Sequence, residues 1–235
     1  MDKAKDVIYF SMGAHIKSAD LNPDILDVIL KVFASMETTL ILWKFESIKL
    51  KDRHPKNAII GPWMPQQEIL AHKNLKVFIT HGGFLSTMEA INYGKPIVGI
   101  PLTNVQKMNM KRAVNQGYGI YVDIFTMTEL SLQTAINAVL NDNSYQSNAT
   151  ELSKLFQDNV VKPIDKAVYY VEHVIRTQGA KHLKTSAHRR NELLLTQLMF
   201  AFMSIVLILI TISQTLKFLF RKLQKPKSSK KLKVK

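Results

Sequence analysis

Short apolar runs alternate with segments of helical periodicity across the first 123 residues. This alternation constrains the fold more than any other feature. Residues 7–11 are an apolar run closed by Met12 and Gly13, which reads as a buried strand and a turn. Pro23 stands at a helix start, and Ile25, Leu26, Ile29, Leu30 and Phe33 follow at helical spacing. Further strands are expected at 39–45, 58–61, 77–80, 97–100 and 119–123, with helices at 84–93 and 109–116. Gly94, followed by Lys95 and Pro96, has the chemistry of a helix stop. Strands alternating with helices give an α/β fold, a parallel sheet covered on both faces. From 128 onward the pattern is all helical, with helices at 128–140, 146–158 and 164–178 and a basic, polar linker from Gly179.

Residues 193–220 differ in kind, with Lys217 as their one charge and an almost unbroken apolar stretch from Leu198 to Ile212. About 20 apolar residues span a bilayer core. A buried core helix is the alternative, but the segment is apolar all round and abuts a basic tail, which favours a transmembrane helix. Basic flanks mark the cytosolic side. The formal net charge is +14, which alone would point to nucleic acid. Eight of those charges sit in residues 221–235, beside no acid. The basicity is therefore mostly a tail, solvated or lying on anionic lipid, and no nucleic-acid partner is expected. There is no cysteine, which excludes disulfides and thiol metal sites. No apolar signal-peptide core precedes the first strand.

The chemistry concentrates between Trp63 and Gln106. Residues 78–83 read Phe-Ile-Thr-His-Gly-Gly, a strand running through a glycine turn into a helix. Glycines there let the backbone approach a ligand, and the helix start offers free N–H groups and a positive dipole end for a diphosphate. His81 can donate to a phosphate oxygen, and so can Ser86 in the first helical turn. Upstream, Trp63 follows Gly61 and Pro62 at a strand end, where its ring can stack on a base, and Gln66 can pair with base or ribose. Glu89 can accept both hydroxyls of a ribose diol. Taken singly, His81 reads equally as a packed turn histidine, while Trp63 reads more readily as a core aromatic and Gln66 and Glu89 as surface polar residues.

Taken jointly, in this order and spacing, these residues resemble the signature of the UDP-glycosyltransferases, in particular the membrane-bound animal UDP-glucuronosyltransferases. The resemblance also covers 7–11, the run 41–45, Val161-Lys162-Pro163, residues 179–183, the apolar helix and the lysine tail. It implies the C-terminal, donor-binding half of a GT-B fold, a Rossmann-like domain over residues 1–184. A linker at 185–192, a transmembrane helix at 193–220 and a cytosolic tail at 221–235 complete the organisation. It implies a UDP-sugar as donor, with transfer to a hydroxyl of a small lipophilic acceptor and no metal or other cofactor. No Asp-x-Asp pair occurs in the chain, which agrees.

The resemblance puts Trp63 on the uracil, Gln66 on base or ribose, His81 with Gly82, Gly83 and Ser86 at the diphosphate, and Glu89 at the ribose. Gln106 belongs to an Asp-Gln pair that holds the sugar hydroxyls, but the Asp position is Val105 here, and Ala14 stands where a serine is common near the phosphates. The family's catalytic histidine and the aspartate that orients it belong to the acceptor-binding half, which these residues do not match. A second reading is therefore a catalytically incomplete UDP-binding membrane protein that pairs with and modulates full-length relatives. Partners implied are the bilayer and a homo- or hetero-oligomer of related glycosyltransferases. The implied location is the endoplasmic reticulum membrane, single-pass; lysines at 231 and 233 resemble a di-lysine retrieval signal. Asn148-Ala149-Thr150 is an N-glycosylation sequon, meaningful only on the lumenal side.

Overall fold

A computed structural model describes residues 1–47, 50, 53–183 and 186–223. The elements follow in the order β1 Val7–Ser11, α1 Pro23–Ser35, β2 Leu40–Lys44, β3 Ala58–Gly61, α2 Gln66–Ala71, β4 Leu75–Thr80, α3 Phe84–Asn92, β5 Ile97–Gly99, α4 Asn104–Asn115, β6 Gly119–Tyr121, α5 Glu129–Asn141, α6 Asn143–Gln157, α7 Pro163–Arg176 and α8 Ser186–Leu223. The six strands form one sheet in the order β3-β2-β1-β4-β5-β6. Every pairing is parallel, with Val7 opposite Leu40 on one side of β1 and Ile8 opposite Val77 on the other. The expected parallel sheet is present.

Two cores follow from the strand period of two. Ile8, Phe10, Ile41, Trp43, Val77 and Ile79 face one side, against Ile29 and Phe33 of α1 and Leu132 and Ile136 of α5. Val7, Tyr9, Leu42, Phe78 and Ile97 face the other, against Leu70 of α2, Ala90 of α3, Met110 of α4 and Ala149 of α6. Each Val, Leu, Ile, Phe or Met side chain among them contributes roughly 1.5–3 kcal/mol on burial. Trp43 centres the first core, with ring centroids of Phe10, Phe33 and Phe45 at 5.3, 5.4 and 5.2 Å.

Several boundaries differ from expectation, each for a local reason. α4 begins at Asn104 rather than 109, because Thr103 and Gln106 form a reciprocal capping box. α6 begins at Asn143 rather than 146, because the Asp142 carboxylate accepts from Ser144 N at 2.8 Å. α2 was not expected at all; it is a six-residue helix with no side-chain cap.

The chain divides into two compact units, Met1–Val160 and Val161–Lys235. α7 belongs to the second unit and buries none of its residues. The linker expected at 185–192 is helical from Ser186 onward. Ala187, Arg189, Arg190 and Glu192 are good helix formers, and no Gly or Pro interrupts the chain between Gly179 and Pro226. Within α8, Leu193–Lys217 is long and apolar enough to cross a membrane, with mean hydropathy 2.6 over its best window. Its 25 residues extend roughly 37 Å as a helix, against a hydrocarbon core of about 30 Å. The tail beyond Leu223, including Lys231 and Lys233, lies outside the described residues.

Candidate functional site

Strand order reverses direction at β1 and β4, so the loops leaving their C-terminal ends diverge and open a crevice, the place where doubly wound sheets hold ligands. Here that crevice is a cleft of ≈ 660 Å³. The turn after β1 forms one wall, the turn after β4 and the start of α3 form another, and the segment after β3 with α2 closes a third.

His81 is packed between the two central turns. A Cβ at Gly13, where φ is +86, would lie 2.6 Å from the His81 ring. One at Gly83 would overlap His81 Nε2 outright. Glycine is thus required in both loops by the same imidazole. Burial, and secondarily the charge of His15, hold the His81 pKa below the usual histidine value, so the ring is neutral near pH 7. Gly83 is the N-cap of α3 and offers no side chain to its first N–H groups. Ser86 is buried beside them. The helix start therefore presents donors and a positive dipole end to the cleft.

The opposite side of the cleft is aromatic and amide-rich. Trp63 is 74% exposed, so it is not a core residue; Trp43 has that place. Lys44, at the end of β2, lies 5.7 Å from the Trp63 ring centroid. Its ammonium donates to Gly13 O at 3.0 Å and to Glu46 Oε1 at 2.5 Å. Glu89 accepts from Gln66 Nε2 at 2.5 Å and from Gln67 Nε2 at 3.2 Å, one bond to each oxygen. At the floor lies the buried Tyr9 hydroxyl, whose pKa burial pushes up to about 12.

Comparison with known proteins matches the chain to the family described as UDP-glucoronosyl and UDP-glucosyl transferase, over residues 2–231. The chain belongs to this family. It is 37% identical over 187 residues to UDP-glucosyltransferase 2 of Dactylopius coccus, covering 79% of this chain and 36% of that protein. It is 34% identical over 228 residues to UDP-glucuronosyltransferase 2B17 of Homo sapiens, covering 96% of this chain and 42% of the relative. The chain thus spans well under half the length of these curated relatives. Among solved structures, Os79 from O. sativa in complex with UDP superimposes with a TM-score of 0.61 at 26% identity, covering 69% of this chain and 39% of that one. The glycotransferase of kitacinnamycin shares the fold, with a TM-score of 0.59 at 24% identity, over 67% of this chain and 40% of its own. The sheet is one Rossmann-like half of a GT-B glycosyltransferase fold.

Of the residues that the UDP-glycosyltransferase signature singles out, the cleft brings together Trp63, Gln66, His81, Gly83, Ser86 and Glu89. Two stand apart from its lining. Gly82, at φ +76, is backed by Met110 and held by Asn109 Nδ2 at 2.9 Å, so it shapes the turn. Gln106 Oε1 accepts from Leu102 N at 2.7 Å and Thr103 N at 3.0 Å, which caps α4. Val105 is exposed beside it, and Ala14 lines the cleft. Lys44, Gln67, Tyr9, Gly13 and His15 also line the cleft and were not foreseen. Lys44 left a signal: a lysine closing an apolar strand run must find partners, because the position is buried.

Proposed function

We propose that this chain carries the donor-binding side of a UDP-glycosyltransferase that moves a sugar from a UDP-sugar to a hydroxyl of a small lipophilic acceptor. One observation carries the reading: an exposed tryptophan, a carboxylate and an uncapped helix start share one cleft at the switch point of the sheet. The uracil stacks on Trp63, and Gln66 pairs with base or ribose. Glu89 takes both ribose hydroxyls, giving up the Gln66 and Gln67 amides for them. The diphosphate lies over Gly83 and the first turn of α3, with backbone N–H groups and the Ser86 hydroxyl as donors. Neutral His81 adds one hydrogen bond. Together they stabilise the charge that develops as the diphosphate leaves, an electrostatic role of the oxyanion-hole kind. No metal or other cofactor is part of this reading. With its carbonyl oxygen engaged in the cap, Gln106 meets the sugar through its amide nitrogen. The relatives' names and the UDP complex of Os79 support the donor assignment.

The same reading places the protein in the endoplasmic reticulum membrane, crossing once through α8 with the basic tail in the cytosol. The apolar span and the eight basic residues after it support this orientation.

Calorimetric titration of the detergent-solubilised chain with UDP is the test. Base–aromatic stacking is worth ~1–3 kcal/mol, so Trp63→Ala weakens binding roughly 5- to 150-fold. Equal affinity in both proteins removes the stacking assignment.

A further inference from the structure

The second unit holds a feature unrelated to the donor cleft. α7 ends in three consecutive left-handed residues, Gln178 (φ 51), Gly179 (φ 102) and Ala180 (φ 45). Glycine alone suffices to end a helix this way. The two flanking residues each carry a Cβ that resists the conformation by roughly 1–2 kcal/mol. Thr177 fixes the reversal: its hydroxyl donates to His173 O at 2.7 Å and accepts from Ala180 N at 3.1 Å. The outcome is specific. His182, in the short helical turn Lys181–Leu183, is delivered onto His173 with the two Nε2 atoms 3.0 Å apart. The rings meet nearly at right angles, 88°, with centroids at 5.1 Å. Tyr169 stacks along His173 at 6.0 Å and Tyr170 meets its edge at 6.4 Å, so the imidazole is walled on two sides.

We propose that His173 and His182 form a clamp for a borderline divalent transition-metal ion of the Zn(II) or Cu(II) class. Two converging imidazole nitrogens are the commonest donors for such ions. With metal–nitrogen bonds near 2.0–2.1 Å, adjacent nitrogens of a tetrahedral site lie roughly 3.3–3.4 Å apart, so the pair opens by only a few tenths of an ångström. Without metal, one ring donates its Nε2 proton to the other. On binding, that proton moves to Nδ1 of its own ring, and both Nε2 lone pairs face the ion with no net proton lost. Arg176, on the same helix as His173, is paired with Glu172 at 3.0 Å and lies over the Tyr169 ring. No third His, Cys, Asp or Glu completes a cluster among the described residues, so water or an external ligand fills the remaining positions. Strained non-glycine backbone at a turn that joins two ligating groups is the kind found at ligand clamps.

The full chain in detergent, titrated calorimetrically with Zn(II), Cu(II) and Mg(II), decides the matter. Zn(II) binds, Cu(II) binds more tightly, and Mg(II) does not bind. His173→Ala and His182→Ala each weaken Zn(II) at least about 10- to 100-fold, the loss seen when even an outer partner of a metal site is removed. His54→Ala, in the first unit, leaves it unchanged. Circular dichroism accompanies each variant; should His173→Ala lose helix, His182→Ala, outside α7, carries the test. Unchanged Zn(II) affinity in a folded His182→Ala protein overturns the proposal and leaves the pair as a shared-proton hydrogen bond only.

Discussion

Lys44 touches the ends of three strands at once: its own β2, the Gly13 turn after β1, and Trp63 after β3. Its side chain is 8% exposed and that of its partner Glu46 13%. Breaking a buried pair by removing one partner costs about 3–5 kcal/mol, because the other charge is left stranded. Lys44→Met is therefore expected to lower the unfolding free energy by about that amount in denaturant titration, and Lys44→Met/Glu46→Gln to recover most of it. UDP affinity behaves differently: both proteins lose the cation beneath the indole, worth ~0.5–2 kcal/mol, and bind roughly 2- to 30-fold more weakly. Full recovery of UDP affinity in the double variant would show that Lys44 acts on stability alone. At this scale the sequence was legible where a residue type has few uses, as for Gly82, whose φ of +76 makes the expected turn between β4 and α3. It was not legible where the role depends on a distant partner. Lys44 read as part of an apolar run, and the Gln106 carbonyl oxygen turned out to serve its own helix.

Among the elements, the His81 turn tolerates little change, because one imidazole fills the space beside two glycines. Gly83→Ala drives a Cβ into the His81 ring, which must shift, an overpacking that typically costs 1–3 kcal/mol, and UDP binding is expected to fall with it. Gly61→Ala is the contrast: its Cβ would meet Trp63 O at 3.5 Å and Met64 Cε at 3.6 Å, ordinary contact distances. Thermal unfolding and UDP titration of the two variants should separate them clearly. The sequon behaves as part of its helix. Asn148 lies inside α6, and its Nδ2 donates to Gly117 O at 3.0 Å. A glycan would need that same nitrogen, so Asn148 is expected to stay unmodified even on the lumenal side. Unchanged gel mobility of Asn148→Gln expressed with microsomes is the check, and a faster-migrating variant contradicts it. Strands and the long α1 were readable because their apolar spacing is dense. α2 escaped because six residues without a cap carry too little periodicity to stand out. The starts of α4 and α6 escaped because they are set by caps upstream of the apolar pattern.

For the molecule as a whole, the apolar span in α8 predicts integral association with membranes. The chain should resist alkaline carbonate extraction. Ile205→Arg, near the middle of the span, raises the insertion cost by about 3–4 kcal/mol and should shift a measurable fraction into the extractable pool. Unaltered extraction would mean that α8 is held by protein rather than lipid. The strand order carries a different consequence, in the time domain. β1 is buried along its whole length, yet β4, its neighbour on one side, begins only at Leu75, after β2, β3 and α2 have been made. At ~5–20 residues per second of synthesis, one edge of Val7-Ile8-Tyr9-Phe10 stays unpaired for seconds. A short, uncharged, β-prone segment left open that long is an aggregation hazard. The strand that anchors the finished sheet is thus the one that most needs a chaperone while the sheet is being built.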